Sequence, residues 1–171
     1  MDNIIITGRY EELTEALRDH NIKTIISIND TTKEEPELVK SFPEDRTLIL
    51  HFNDVDCPQN PNGPSLVALS SLLNYGIDLL RLAIEEDGLC LIHCTAGICR
   101  STAAAAIVLA THLPPGSELE AMQEVLRIRP IADPNWLMLS IADKYWGTKL
   151  VPAKEFIEPF IRQKFSKRYD L

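Results

Sequence analysis

Four short apolar runs, each too short to be a buried helix, constrain the fold of this chain more than any other feature. They lie at Asn3 to Thr7, Ile22 to Ile28, Thr47 to Phe52 and Leu89 to His93. Ile22 to Ile28 is rich in β-branched residues and reads as a strand covered on both faces, the pattern of a parallel sheet between helices. Helical patterns separate the runs. Tyr10 to His20 carries Leu13, Ala16 and Leu17 at helical spacing, and a short acidic helix is expected from Glu34 to Lys40. Ser65 can cap a long helix that runs to Glu86 and stops at Gly88, with Leu66, Leu69, Leu72, Leu73, Ile77 and Leu80 on its apolar face. Repeated strand–helix–strand units predict an α/β domain with a short, mostly parallel central sheet of four to five strands and helices on both faces, joined by right-handed crossovers.

The second half reads as almost entirely helical. An Ala-rich stretch from Ser101 to His112 is stopped by Pro114, Pro115 and Gly116. Ser117 with Glu120 has capping-box spacing for a helix ending near Arg129. Asp133 can cap a further helix with Pro134 at its first position, reaching Tyr145. The length of 171 residues suits one domain with a full core. We place that domain at residues 1–151 and set apart residues 152–171 as a basic amphipathic tail, in which Phe156, Ile157, Phe160, Ile161 and Phe165 alternate with Arg162, Lys164, Lys167 and Arg168.

Charge and cysteine usage exclude several function classes. The chain has 17 Lys and Arg against 25 Asp and Glu, a net charge of −8, which argues against nucleic acid and polyphosphorylated ligands. The charge divides unevenly: the first 143 residues carry ten basic and 22 acidic residues, a net −12, and the remainder carries +4. No run of 18 apolar residues is present, so no membrane span is expected. Four cysteines without a basic-then-apolar leader predict a reducing, cytoplasmic setting.

Ligands of parallel α/β sheets bind beyond the carboxyl ends of the strands. Two loops qualify here, the one from Asn53 and the one from Cys94. The second reads His93-Cys94-Thr95-Ala96-Gly97-Ile98-Cys99-Arg100-Ser101, a thiol and a guanidinium separated by five residues between a strand and a helix N-terminus. Successive backbone N–H groups in such a loop can curl around an anion. Gly97 permits the positive φ of a tight closure. Arg100 offers a planar fork for two phosphate oxygens. The same field favours a thiolate at Cys94, which can attack a bound phosphoryl group while the loop N–H groups and Arg100 stabilise its charge. Thr95, Ala96, Gly97, Ile98, Cys99 and Arg100 are thus the candidate substrate-binding residues.

This stretch, with the preceding His93, the Gly three residues after Cys94 and the following Ser101, resembles the signature of cysteine-dependent protein tyrosine and dual-specificity phosphatases. Together with Arg129 to Asp143 it is similar to compact bacterial tyrosine phosphatase-like proteins, over roughly residues 45 to 146. The resemblance implies a cysteine-phosphatase fold with a helical C-terminal half. It implies Cys94 as nucleophile, Arg100 as phosphate ligand, Ser101 as the hydroxyl that stabilises the thiolate, and His93 as the residue that orients the loop and tunes the thiol. It requires no metal or other cofactor. The leaving oxygen needs a proton, and the attacking water later needs a base. Asp54, in the stretch His51 to Asp56, matches the family's acid, with Asp56 as its rival. Strand three is expected to neighbour strand four, which would bring Asp54 to the phosphate site. Asp30, after strand two, reads as a strand-end turn residue, and Asn135 as a capping and packing residue.

Cys99 departs from the family, where a small residue is usual; it reads as a small substitute, with a redox partnership to Cys94 as the alternative. Cys90, His93 and Cys94 lack the second ligand pair of a metal site. The uncharged positions 95, 96, 98 and 99 point to a singly phosphorylated group. The chain is too short for the long tyrosine-recognition loop of larger relatives, which implies a shallow site. The resulting expectation is a phosphoprotein phosphatase acting on phosphotyrosine, with phosphoserine and phosphothreonine within reach. The alternatives are a phosphate-recognition module with weak turnover, or another Cys-loop enzyme such as a sulfurtransferase or arsenate reductase.

Overall fold

The computed structural model describes residues 3–169, with side chains described through Pro159. In chain order the elements are β1 (Ile4–Thr7), α1 (Glu11–Asp19), β2 (Ile22–Asn29), α2 (Glu37–Lys40), β3 (Thr47–His51), α3 (Leu66–Glu85), β4 (Leu89–His93), α4 (Arg100–His112), α5 (Glu118–Ile128), α6 (Trp136–Trp146) and α7 (Leu150–Tyr169). The architecture is α/β. The four strands form one parallel sheet in the order β1-β4-β2-β3.

That order corrects one expectation. β3 pairs with β2, and β2 separates it from β4. The chain therefore reaches the centre of the sheet twice, with β4 inserted between β1 and β2 so that its C-terminal end has a strand on each side.

The two faces of the sheet are unequal. One face buries Ile4, Ile6, Ile26, Ile28, Leu50, Cys90 and Ile92 in a large core with residues of α3 to α7. The other buries Ile25 and Leu91 against Leu13 and Ala16 of α1 and Val39 of α2. α4 lies at the centre of the larger layer, and every residue from Arg100 to Ala110 is buried. A helix enclosed on all sides must be apolar all round, and its alanines let α3, α5 and α6 approach closely. α3 meets it at Gly76, where an added Cβ would stand 3.1 Å from Val108 Cγ2.

α3 is long and apolar enough by length and composition to cross a membrane, with a mean hydropathy of 1.4. In this fold its Leu69, Leu72, Gly76, Leu79, Leu80 and Ala83 face the core. Ser65 caps it as expected, its Oγ accepting from Ala68 N at 3.2 Å.

Two other caps differ from expectation. Ser117 makes no side-chain cap bond to α5. The cap of α6 is Asn135, not Asp133, because residues 133–135 run extended against the Cys94 loop: Asp133 N donates to Ile98 O at 3.0 Å and Asn135 N to Cys99 O at 3.1 Å. Asp133 instead pairs with Lys154 at 2.7 Å. α2 starts only after Pro36, three residues later than expected, which frees Glu35 to turn inward.

The division set between residues 151 and 152 falls inside α7. Leu150, Ala153 and Ile157 of this helix are buried in the main core, and Phe156 is exposed. The side chains of Phe160, Ile161, Arg162, Lys164, Phe165, Lys167 and Arg168 lie outside the described residues.

Candidate active site

β4 delivers Cys94 to the carboxyl edge of the sheet, and the next five residues loop back into α4. Cys94 is buried, and its Sγ sits 3.2 Å from Ser101 Oγ. Gly97 N donates to the same sulfur at 3.3 Å. A hydroxyl and a backbone N–H thus converge on one sulfur. Gly97 has φ +69°, and a Cβ there would lie 2.5 Å from Gly8 N. Both facts demand glycine at this position.

The loop is braced from outside. Arg129 Nε donates to Gly97 O at 3.0 Å, and its Nη2 to Ala96 O at 3.3 Å. Arg9 N donates to Thr95 O at 3.1 Å. Three consecutive carbonyls are therefore tied to surrounding groups. Glu12 holds this brace in place, accepting from Gly8 N at 2.6 Å and pairing with Arg129 at 3.0 Å. Burial opposes ionisation of Glu12, but these partners outweigh it and hold its carboxyl below the usual range.

Arg100 is 3% exposed and its guanidinium is fixed on one side. Nη1 donates to Phe52 O at 2.9 Å and faces Asp30 Oδ1 at 3.0 Å. Nη2 donates to Thr95 Oγ1 at 3.1 Å, and Thr95 Oγ1 donates in turn to Asp30 Oδ2 at 3.1 Å. Nε is buried without a hydrogen bond, with Asp54 Oδ2 at 3.8 Å. Asp30 is therefore a partner of the site's arginine rather than a simple turn residue. Burial raises its carboxyl pKa, but Arg100, Thr95 and Lys33 more than compensate and leave it net lowered.

Asp54 reaches Arg100 although β3 is not beside β4. Phe52 N bonds to Asn29 O at 3.0 Å, continuing the β3–β2 ladder. The chain then turns at Asn53, whose N bonds Asn62 O at 2.6 Å and whose Oδ1 accepts from Thr31 N at 3.0 Å. This turn carries Asp54 over the end of β2. Its other oxygen accepts from Asn135 Nδ2 at 2.9 Å, while Asn135 Oδ1 caps α6 through Met138 N at 3.0 Å. Asn135 thus has a site contact that its reading as a cap alone missed. Asp56 is differently engaged, accepting from Leu137 N at 3.4 Å at the start of α6.

His93 is fully buried, and the alternation along β4 turns it to the face opposite Cys94. Burial dominates its titration and lowers its pKa to about 4; a backbone interaction with Cys94 opposes this in part and Arg9 adds to it. Its imidazole is neutral at physiological pH. Cys99 is partly exposed beside Asp54. Burial first, then the charge of Asp54 and a hydrogen bond to it, push its thiol up to about 12. Burial does the same to Cys90. Among the described residues, no group of three or more His, Cys, Asp or Glu is placed to hold a metal ion.

The structure brings together Cys94, Thr95, Gly97, Arg100, Ser101 and Asp54, all named from the sequence. It adds Asp30, Asn135 and Arg129. The first two had been read as structural, and for Arg129 the sequence offered only its position at a helix end.

No protein-family model matches the chain, and no curated protein does. Solved structures do. A single-substitution variant of human DUSP28 is 25% identical, with 81% of this chain and 82% of that one covered and a TM-score of 0.55. The PTP-2 phosphatase of Cydia pomonella is 22% identical over 82% and 84% of the two chains, with a TM-score of 0.62. The human tyrosine phosphatase-like serine/threonine/tyrosine-interacting protein is 19% identical over 86% and 93%, with a TM-score of 0.63. The chain has the fold of the tyrosine and dual-specificity phosphatases, and these structures match it over 81–86% of its length.

Proposed function

We propose that this chain is a phosphoprotein phosphatase that hydrolyses phosphotyrosine, and within the same shallow site phosphoserine and phosphothreonine, through a cysteinyl-phosphate intermediate. The observation that carries the reading is the convergence on Cys94 Sγ of Ser101 Oγ at 3.2 Å and Gly97 N at 3.3 Å, beside a buried Arg100 whose Nε makes no hydrogen bond.

In the first step the loop N–H groups and Arg100 donate to the phosphoryl oxygens. Cys94 attacks phosphorus, the bond to the leaving oxygen breaks, and Asp54 gives that oxygen its proton. In the second step Asp54, now a carboxylate, takes a proton from water. That water attacks phosphorus, the S–P bond breaks, and Ser101 stabilises the departing thiolate. The charge of the phosphoryl group is held throughout by donors that need no rearrangement. The uncharged side chains at 95, 96, 98 and 99 support a singly phosphorylated substrate. Asp56, tied to the backbone of α6, is the less suitable acid.

The test is turnover of p-nitrophenyl phosphate by the wild type and by Cys94→Ser, Asp54→Ala and Asp56→Ala. Activity lost in Cys94→Ser and strongly reduced in Asp54→Ala, but mildly changed in Asp56→Ala, is the expected pattern. Undiminished turnover by Cys94→Ser would end this reading.

A further inference from the structure

Beside the candidate site, the loop after Asp54 and the helix after Asn135 form the two walls of a groove of about 530 Å³. Pro61, Pro64 and Leu66 line one wall, and Trp136, Ile141 and Tyr145 the other. Trp136 is 46% exposed, Tyr145 49% and Leu66 39%. The groove is preformed. Its loop wall contains three prolines and is closed by Asn60 N to Cys57 O and Gly63 N to Asn60 O, both 3.1 Å, besides the Asn53–Asn62 bond. Rigid walls lower the ordering cost of binding.

Resting on the proposed function, we infer that this groove seats the polypeptide flanking the phospho-residue: an apolar side chain, followed by an acidic residue at Lys144. Two observations select this occupant. The first is continuity. Asn135, whose Nδ2 holds Asp54 at 2.9 Å, is followed directly by Trp136 in the groove, and the loop that carries Asp54 becomes the opposite wall. An extended peptide advances roughly 3.3 Å per residue, so positions two to four from the phospho-residue sample about 7–13 Å of chain on either side of the phosphate loop. The second is charge. The chain carries a net −8, yet the groove lining holds no acidic residue and one base, Lys144. It is a stretch of this acidic surface that admits an apolar segment and attracts a carboxylate beyond it.

The experiment measures binding of fluorescein-labelled phosphotyrosine peptides to the full chain carrying Cys94→Ser. A leucine is walked through positions two to four on either side of the phosphotyrosine, with glycine and serine elsewhere. Leucine at one position is expected to tighten binding about tenfold. Trp136→Ala and Tyr145→Ala, each in that background, should remove the gain and leave binding of free phosphotyrosine unchanged. Equal affinity for every peptide, or a gain that survives both substitutions, would overturn the inference. So would a concentration-dependent dimer abolished by Trp136→Ala with no peptide preference, which would assign the groove to a second copy of the chain. Turnover of p-nitrophenyl phosphate separates the two readings. Active wild type without a leucine preference removes only the groove's role; inert wild type with a Trp136-dependent preference removes only the hydrolase.

Discussion

Acidification should destabilise this protein through His93, and the size of the effect follows from its burial. The imidazole pKa is held at about 4 in the folded chain, against about 6.5 for an unperturbed histidine. Below pH 6.5 the unfolded chain takes up a proton that the folded chain refuses until about pH 4, so stability falls with pH across that window. It is fully present above 6.5. At pH 4.5 the lost stability amounts to about 2–3 kcal/mol, a substantial share of the total for a domain of this size. The assay is urea unfolding at pH 7.5 and 4.5 for the wild type and for His93→Asn, which titrates no imidazole. The wild type should lose about 2–3 kcal/mol more than the variant between the two pH values. Parallel losses, within about 0.5 kcal/mol, would refute the reasoning, because they would mean that the fold admits the proton. The result bears on the chemistry as well: a neutral His93 leaves Arg100 and the loop N–H groups as the sources of positive potential for a phosphate.

Other substitutions probe the groups that converge on the loop. Asp30→Asn removes the partner of a guanidinium that is 3% exposed; because Asp30 itself is partly solvated, we expect a loss of about 1–2 kcal/mol in urea melts and roughly tenfold in kcat/KM on p-nitrophenyl phosphate, and no change in either would count against its positioning role. Asn135→Ala should lower kcat/KM on phenyl phosphate about tenfold but much less on p-nitrophenyl phosphate, whose leaving group needs little protonation, and equal losses would show that Asn135 does not act through Asp54. Gly97→Ala places a Cβ 2.5 Å from Gly8 N at φ +69°, and vanadate binding and turnover should both disappear while the chain still folds.

The sheet and the phosphate loop were legible because they are local. Ile22 to Ile28 is rich in β-branched residues and Leu89 to Ile92 is apolar, and Cys94, Arg100 and Ser101 lie within eight residues of one another on one strand–loop–helix unit. What stayed hidden depends on topology. Nothing in the sequence says that β4 inserts between β1 and β2, so the route by which Asp54 crosses the end of β2 was misread as simple adjacency of β3 and β4. Asp30 and Asn135 each satisfy an ordinary local role, a strand end and a cap, and acquire their site contacts only when residues 65 and 81 positions away arrive. Arg129 is the same case: its bonds to Ala96 O and Gly97 O span more than thirty residues. The α6 cap was misplaced by two residues because Asp133 and Asn135 are both good caps, and the backbone bonds to Ile98 and Cys99 decide between them.

The central claim is that Cys94 takes the phosphoryl group. Asp54→Ala should slow the hydrolytic step by removing its base, so acid quenching after mixing with p-nitrophenyl phosphate should trap the intermediate. Mass spectrometry of the digested protein should find one phosphoryl group on the peptide containing Cys94 and none in the Cys94→Ser protein. Turnover with no phosphoryl group on that peptide, or with the group on another residue, would contradict the mechanism.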